Sequence, residues 1–426
     1  MHRSLPASFC ASTVASIFSS VKDGDVLDSR YAWGRLVVTL AIAMVANVSI
    51  WAVIVILPAV EAEFGSGRAG SSLPFTFVMI GFGLGNLLIG RLVDRLGVTK
   101  VLIGAGLAIA LGYFLATLTS SIFWLSAAHL FLGLATAVGF GPLIADISHW
   151  FLRQRGIAVA LVASGNYLAG AIWPTMLSDM LASSGWRMVY LTLAVITPLV
   201  VLPLSLLLRR PVPPEARGRA AVASALRARN AGFSPRTLQI MLGVAGISCC
   251  VAMSMPQVHI VAYSMELGYG SAVGAEMLSL MLLGGVISRV ISGLVADRVG
   301  GVITLLAGSV LQCLALVLFL PFDGMISLYL ISALFGLAQG GIVPSYAIIV
   351  REYMDPDEAG ARVGFVLMLT ILGMALGGWM SGWIYDLTGD YWLAFVNGIV
   401  WNGLNIAIIA MLLMRTRARG IRVVPV

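Results

Sequence analysis

Long apolar stretches recur along this chain and constrain its fold more than any other feature of the sequence. A helix needs about 20 apolar residues to cross the roughly 30 Å hydrocarbon core of a bilayer. With 59% hydrophobic and 11% charged residues, against about 25% charged in soluble proteins, the chain has too few polar groups to cover its surface. The sequence therefore predicts an all-α membrane protein with twelve spans, at 35–58, 71–92, 99–119, 122–148, 157–181, 187–208, 238–264, 273–295, 301–320, 325–350, 361–384 and 391–414.

The basic residues indicate how the spans are oriented. If the N-terminus is cytoplasmic, all of the 26 Lys and Arg residues except Arg68, Arg187 and Arg289 lie in segments on the cytoplasmic side. Cytoplasmic loops of membrane proteins carry such an excess. We therefore expect a multi-pass protein of the cytoplasmic (inner) membrane with both termini in the cytoplasm. Because short loops between spans carry the net charge of +7, nucleic acid is not an expected partner.

The spans divide the chain into two halves of six, separated by a linker. We expect a cytoplasmic N-terminal tail at 1–34, which could also include residues upstream of the true start. The Arg-rich linker begins Arg209-Arg210-Pro211, and part of it could form an amphipathic helix on the anionic inner leaflet. The predicted segments are the tail, a six-helix bundle at 35–208, the linker at 209–237, a second bundle at 238–414 and a C-terminal tail at 415–426.

An internal repeat relates the two halves. The loop after span two reads GRLVDRLG at 90–97, and the loop after span eight reads GLVADRVG at 293–300. Transporters are often built from such repeats, with the substrate site between them near mid-membrane. The shared residues lie 203 positions apart, in the pairs Gly90 and Gly293, Asp94 and Asp297, Arg95 and Arg298, and Gly97 and Gly300.

The first of these loops, with its Lys100, resembles the signature loop of the major facilitator superfamily. The resemblance implies two pseudo-symmetric six-helix bundles and a gating role at the cytoplasmic side. It also implies that Asp94 lies near the N-terminal end of span eleven, around Arg362 to Gly364, where the helix terminus would stabilise a carboxylate. Alternatively, the charged residues are solvated and fix the topology. The motif residues are Gly90, Asp94, Arg95, Gly97, Lys100, Gly293, Asp297 and Arg298.

A narrower resemblance follows span four. The run from Trp150 to Ala158, WFLRQRGIA, is similar to the entry to span five in monocarboxylate porters and oxalate/formate-type antiporters. The stretches Gly185-Trp186-Arg187 and 385–391 also resemble that group. This resemblance implies transport of a small organic anion, together with a proton or another coupling ion.

Arg289 is the strongest candidate for binding that anion. It lies inside span eight, four residues before Gly293, and an ionisable residue at that depth is costly without a function. Its planar fork of donors fits a carboxylate. In the porters that the chain resembles, an Arg at this spacing binds the anion, often with an Asp one turn earlier. Here Gly285 takes that place, which argues against direct proton coupling through an Arg–Asp pair. Alternatively, Arg289 snorkels to the inner surface or pairs with another helix.

Other polar residues lie at span depth and are weaker candidates for contact with substrate. His259 could titrate near neutral pH. Interhelical hydrogen bonding is the alternative role for each of them. Asp146, by contrast, lies near a span end, and an interfacial position explains it. The candidates are Asn47, Gln257, His259, Gln339 and Tyr346.

The sequence also weighs against other classes of protein. We find no nucleotide-binding Gly loop and no metal-spaced His or Cys cluster, so an enzyme, a cofactor and a bound metal are not expected. A drug–proton antiporter of the same fold is the main alternative. A resemblance to drug–proton antiporters would place an Arg in span four at the position where this chain has Leu130. This difference argues against drug efflux without excluding export. A membrane sensor is a further alternative. We expect a transporter that functions as a monomer.

Overall fold

The computed structural model describes residues 27–151, 155–211, 233–354 and 356–418. Throughout these ranges the regular structure is helical, which confirms the predicted fold class. Spans one to six comprise Arg30–Ala46 with Val48–Phe64, Arg68–Leu96, Val98–Thr117, Ile122–Thr136 with Gly141–Ser148, and Arg155–Leu207, which holds spans five and six. Spans seven to twelve comprise Pro235–Glu266, Ser271–Val299, Gly301–Leu318, Met325–Gln339 with Ile342–Tyr353, Pro356–Thr388 and Trp392–Ala418.

Spans five and six run together as one helix with a sharp change of direction. In the described ranges, 11 helices are long and apolar enough to cross a membrane, and one of them, Ile157–Leu207, has 51 residues. A straight helix of that length would measure about 77 Å, more than twice the hydrocarbon thickness. Gly185 interrupts it with a φ of 76°, a backbone conformation that favours glycine. The helix is therefore long enough to cross the membrane twice, which gives twelve spans within the described ranges.

Several helices extend beyond the predicted apolar spans. Span one begins at Arg30 instead of residue 35, because Ser29 caps its first turn by accepting a hydrogen bond from the Ala32 amide. Hydropathy cannot detect such a start, since the first turn contains a charged residue. Most of the predicted N-terminal tail and linker, and residues 419–426 of the C-terminal tail, lie outside the described residues.

The sequence repeat is also a repeat of helix boundaries. Span two, Arg68–Leu96, corresponds at an offset of 203 to span eight, Ser271–Val299. The first parts of spans four and ten, Ile122–Thr136 and Met325–Gln339, correspond at the same offset. Both spans then break at equivalent positions, at 137–140 and at 340–341. The two halves are thus built alike, down to a break at the equivalent place in spans four and ten.

Two glycines at equivalent positions allow close helix crossings. A Cβ on Gly133 of span four would lie 2.0 Å from the Val78 carbonyl oxygen in span two. A Cβ on Gly336 of span ten would lie 2.0 Å from the Met281 carbonyl oxygen in span eight. Backbones can approach this closely in membranes only where the side chain is absent. These crossings fix span four on span two and span ten on span eight.

The two halves meet along two pairs of spans. Spans two and eleven touch at several levels, for example where Thr76 donates a hydrogen bond to the Ala375 carbonyl at 3.2 Å. Spans five and eight form the second seam, where the hydroxyls of Thr175 and Ser279 lie 2.7 Å apart. We call the end of the molecule where spans two and eight begin the Arg68 end. The Gly97 end is the end where they finish.

Candidate functional site

Arg289 lies at the seam between the halves. It is 6% exposed, and about 15 Å of helix separates it from Val299 at the Gly97 end of span eight. Its Nε donates to the Gly340 carbonyl at 3.2 Å, where span ten breaks. Its Nη1 donates to the Ala163 carbonyl of span five at 2.6 Å. The Tyr167 ring lies beneath the guanidinium, with its centroid 4.1 Å from Cζ. Arg289 therefore links the C-terminal half to the N-terminal half.

No carboxylate neutralises Arg289 within the described part of the chain. The ion pairs found there join Arg35 to Asp146, Arg68 to Glu61 and Arg187 to Glu63. A buried cation without a counter-ion is costly in a low-dielectric interior. An anionic ligand would remove that cost and would fit the guanidinium fork. The site therefore has the chemistry to bind a carboxylate.

An amide pair lies beside the same break in span ten. Gln257 Nε2 donates to Gln339 Oε1 at 2.7 Å, and both residues are buried. Gln257 Oε1 and Gln339 Nε2 have no hydrogen-bond partner. Gln339 directly precedes Gly340, which accepts from Arg289. Exchanging O and N of both amides would still leave one donor and one acceptor unpaired, so the pair has spare hydrogen-bonding capacity in either orientation.

The other sequence candidates form hydrogen bonds within a single half. Asn47, at the break in span one, donates to the carbonyls of Ala43 and Gly139. The Tyr346 hydroxyl donates to Asn405 Oδ1 at 2.8 Å. These contacts are of the kind that holds neighbouring helices together. The structure does not join either residue to Arg289 by a described hydrogen bond.

His259 is also bonded within the C-terminal half. Its Nε2 lies 2.8 Å from the Gly378 carbonyl, and its Nδ1 lies 3.3 Å from the Tyr391 hydroxyl. A carbonyl can only accept, so Nε2 carries the proton and Nδ1 accepts from tyrosine. Both ring nitrogens are thus occupied. This arrangement fixes the end of span seven against span eleven and the loop that follows it.

The repeated loop motif forms tight turns at the Gly97 end. Gly97 and Gly300 have φ values of 82° and 88°, a conformation that suits glycine and lets one span follow the previous one directly. Arg95 and Arg298 are in the last turns of spans two and eight, where a cation interacts favourably with the helix terminus. Lys100 is exposed in the first turn of span three. Cβ atoms on Gly90 and Gly293 would meet nothing within 4 Å.

The expected contact between Asp94 and span eleven remains a prediction. The side chains of Asp94 and Asp297 lie outside what the structure describes. Gly364 lies in the part of span eleven near which the resemblance places Asp94. A Cβ on Gly364 would lie 4.0 Å from Leu87 Cδ2 of span two. Arg362 donates from Nη1 to Gln239 Oε1 at 2.6 Å, within its own half.

At the Arg68 end, a carboxylate that the sequence does not predict as a site residue caps a helix terminus. Asp386, near the end of span eleven, accepts from the backbone amides of Arg68 and Ala69 at 2.7 Å and 2.8 Å. These amides begin span two, so Asp386 caps a helix of the opposite half. Gly67 makes room, because a Cβ there would lie 2.8 Å from the carboxylate. Sequence alone gave no signal, since the partners lie more than 300 positions apart.

Asp146, which the sequence predicts at an interfacial position, is buried in the structure. Arg35, which is 0% exposed, donates to both carboxylate oxygens, from Nε at 2.9 Å and from Nη2 at 2.8 Å and 3.0 Å. Its Nη1 reaches the Leu208 carbonyl at 3.2 Å. The Trp150 ring covers the guanidinium, with 4.5 Å between Cζ and the centroid. This cluster ties spans one, four and six together near the Gly97 end.

The described residues form no cluster of side chains that could bind a metal ion. Within 27–151, 155–211, 233–354 and 356–418, no group of three or more His, Cys, Asp or Glu side chains is placed to bind one. At the seam between the halves, the described residues offer the Arg289 guanidinium, the Gln257–Gln339 amide pair and aromatic faces. Such a set can bind and release a solute.

A family model identifies the class of protein that this fold and site define. The model described as Major Facilitator Superfamily matches residues 39–280 and 240–425, which together cover most of the chain. The chain therefore belongs to the Major Facilitator Superfamily. It is a transporter of small molecules, not an enzyme.

Individual relatives carry three kinds of name. MFS-type transporter pynF of Aspergillus niger is 27% identical over 327 residues, which span 74% of this chain and 72% of the relative. Monocarboxylate transporter 13 of Bos taurus is 26% identical over 314 residues, 71% of this chain and 70% of the relative. Agnestins efflux protein AgnL12 of Paecilomyces divaricatus is 24% identical over 317 residues, 73% of this chain and 70% of the relative.

A solved structure has the same fold. It is a bacterial homologue of the human lysosomal transporter Spinster, in an inward-facing, occupied conformation. It covers 92% of this chain and 96% of its own length with a TM-score of 0.65. The sequence identity of 14% means that this likeness concerns the fold alone.

Proposed function

We propose that this chain is a secondary active transporter that moves a small organic anion, a monocarboxylate, across the cytoplasmic membrane. The observation that carries the proposal is the Arg289 guanidinium, buried between the halves among backbone carbonyls and an aromatic ring. A carboxylate is the substrate group that matches a planar fork of donors. One relative is named a monocarboxylate transporter, which agrees with this substrate class.

Substrate binding would be linked to movement of the halves through the bond from Arg289 to the Ala163 carbonyl. A charged carboxylate is a stronger acceptor for a guanidinium than a neutral carbonyl, so the substrate competes for the same donor. Ala163 belongs to the N-terminal half and Arg289 to the C-terminal half. When the anion replaces the carbonyl, one hydrogen bond between the halves is lost and they can rock about the site.

Two helix-terminus contacts would close the two ends in turn. The excess of Lys and Arg at the Gly97 end supports a cytoplasmic position for that end and an external position for the Arg68 end. Asp386 caps span two at the Arg68 end. Opening to the outside requires that contact to break. Asp94 would make the matching contact with span eleven at the cytoplasmic end when the halves close there.

The proposal also covers the oligomeric state, location and coupling ion of the protein. The protein works as a monomer in the lipid bilayer of the cytoplasmic membrane, with both termini in the cytoplasm. A proton or another ion is the coupling partner, and no cofactor or nucleic acid takes part. The positive-inside distribution of the loops supports this orientation.

Export of a drug or an acidic metabolite is the second candidate function. One relative is named an efflux protein, and the same buried guanidinium could hold an acidic product on its way out. Drug export predicts that expression raises the tolerance of cells to lipophilic cations. A membrane sensor of this fold predicts that the purified protein moves no solute at all.

The test is uptake of labelled solutes by proteoliposomes that contain the purified protein. Labelled acetate, pyruvate and benzoate represent monocarboxylates, and a lipophilic cation represents the drug class. We expect uptake of at least one of the three acids and its loss in Arg289→Ala. Arg187→Ala is the matched control, because Arg187 pairs with Glu63 away from the seam. Carboxylate transport that survives Arg289→Ala unaltered would show that the binding role is wrong.

A further inference from the structure

An aromatic ring, and no carboxylate, holds the guanidinium of Arg289. The centroid of Tyr167 lies 4.1 Å from Cζ, well inside the range of a cation–π contact. Both residues are buried, so the contact is desolvated and stronger than a cation–π contact at an exposed site. Trp51 packs edge-on against the same ring, with 6.3 Å between centroids and 73° between planes. The ring is therefore also packed against span one.

The space beside Arg289 is shaped for this ring. Gly285 lies four positions before Arg289, one turn earlier on span eight. A Cβ at Gly285 would lie 2.7 Å from Tyr167 Cδ2 and 2.8 Å from Cε2. Any side chain at that position would have to displace the ring. The absence of a side chain at Gly285 and the presence of the ring at Tyr167 are thus two parts of one arrangement.

The groups around Arg289 include titratable side chains but no described carboxylate. Span five contributes Tyr167, which is the one titratable side chain that interacts with Arg289 among the described residues. Span ten contributes the Gly340 carbonyl. Span seven presents two thiols to Tyr167, those of Cys249 and Cys250. No described carboxylate faces the guanidinium from these helices.

We propose that Tyr167 is the positioning residue of the anion site, and that its ring takes the place of a carboxylate partner, so that Arg289 binds an anion without prior uptake of a proton. The inference rests on the proposed role of Arg289 in binding substrate. A carboxylate partner would neutralise the guanidinium and would have to be protonated before an anion could replace it. A ring face orients the guanidinium and leaves its full charge available to the ligand.

The first arm of the test measures binding of labelled acetate, pyruvate and benzoate to the purified protein. Tyr167→Leu removes the ring face, and we expect the Kd of the acid that binds to rise about 10- to 30-fold. Tyr167→Phe restores tight binding, because it keeps the ring. If Phe weakens binding as much as Leu does, the hydroxyl is responsible and the proposal is wrong.

The second arm follows the same Kd between pH 6 and pH 8. We expect a change of less than about twofold, because neither an arginine nor a tyrosine titrates in that window. A Kd that weakens about tenfold per pH unit as the pH rises would mean that binding takes up a proton. That result would overturn the proposal.

The third arm needs no substrate and separates this proposal from the proposed function. A double-mutant cycle combines Tyr167→Leu with Arg289→Leu and follows the thermal midpoint in detergent. We expect Tyr167→Leu to cost several degrees less in the Arg289→Leu background than in the wild type. Tyr113→Leu is the control, because Tyr113 is buried against Tyr190 within the N-terminal half and its effect should be additive. Additive effects for Tyr167 would contradict the proposal, whereas coupling without binding of any acid would contradict only the proposed substrate.

Discussion

Two buried arginines in the described part of the chain differ in the groups that hold them. Arg35 is held by both oxygens of Asp146, whereas Arg289 is held by carbonyls and a ring. A fully paired charge has its interactions satisfied and serves structure. An unpaired one keeps an unused attraction for an anion. The difference separates a structural arginine from a candidate binding residue.

Removing the partner of Arg35 should therefore be costly. Asp146→Asn leaves the guanidinium buried without a counter-ion, and we expect a loss of stability of about 3–5 kcal/mol. Glu63→Gln breaks the Arg187 pair, whose side chains are 41% and 37% exposed, and should cost about 1 kcal/mol or less. Thermal unfolding of both variants in detergent measures the difference. Equal midpoints for the two variants would contradict the structural role assigned to the Arg35 pair.

Among single residues, the sequence predicted Arg289 as a site residue but did not predict the groups that hold it. Arg289 stands out because charge is rare inside a span. Tyr167 and Asp146 do not stand out, because an aromatic ring in a span and an acid near its end are ordinary. The repeat contains an unused signal, since Arg289 corresponds at the offset of 203 to Asn86. Asn86 accepts from the Gly141 amide just after the break in span four, so both residues bind a broken helix.

Among whole helices, the repeat was predictable and the helix breaks were not. A shared loop motif gave the offset, and the boundaries of spans two and eight agree with it. Hydropathy is blind to the interruptions at Asn47, at 137–140 and at 340–341, because the flanking residues stay apolar. It also could not show that spans five and six join at Gly185 without a separate loop.

The crossing of spans two and four gives a prediction about packing. Gly133→Ala places a methyl group 2.0 Å from the Val78 carbonyl oxygen, so the two backbones must separate. We expect a loss of about 1–3 kcal/mol and a lower thermal midpoint in detergent. Gly104→Ala in span three is the matched control, since its Cβ would meet nothing within 4 Å. It should be neutral or stabilising by up to about 1 kcal/mol. A neutral Gly133→Ala would argue against this crossing.

The seam between spans two and eleven gives a prediction about movement. Asp386→Asn removes the charge and one acceptor from the cap on span two, so the Arg68 end should open more often. Spin labels at Ala62 and Leu387, after replacement of the native cysteines, would report longer distances between the halves. Asp390→Asn is the control, because Asp390 caps the Trp392 amide within its own half. An unchanged distance distribution in Asp386→Asn would exclude this contact as a closure.

For the molecule as a whole, the fold could be predicted from the sequence because it follows from composition and the internal repeat. Apolar length fixes the number of spans, the Lys and Arg bias predicts their orientation, and the repeat divides them into two halves. The way the halves meet does not follow from these patterns. It depends on contacts such as those of Arg289 with span five and of Asp386 with span two, which join residues distant in the chain.

The most direct test of the central claim is counterflow in proteoliposomes. Vesicles loaded with an unlabelled acid that binds the protein are diluted into a trace of the same acid carrying a label. Alternating access through Arg289 predicts transient accumulation of the label without any ion gradient, its loss in Arg289→Ala and its persistence in Arg187→Ala. Equal accumulation in Arg289→Ala, or none in the wild type with an acid that binds, would contradict the account.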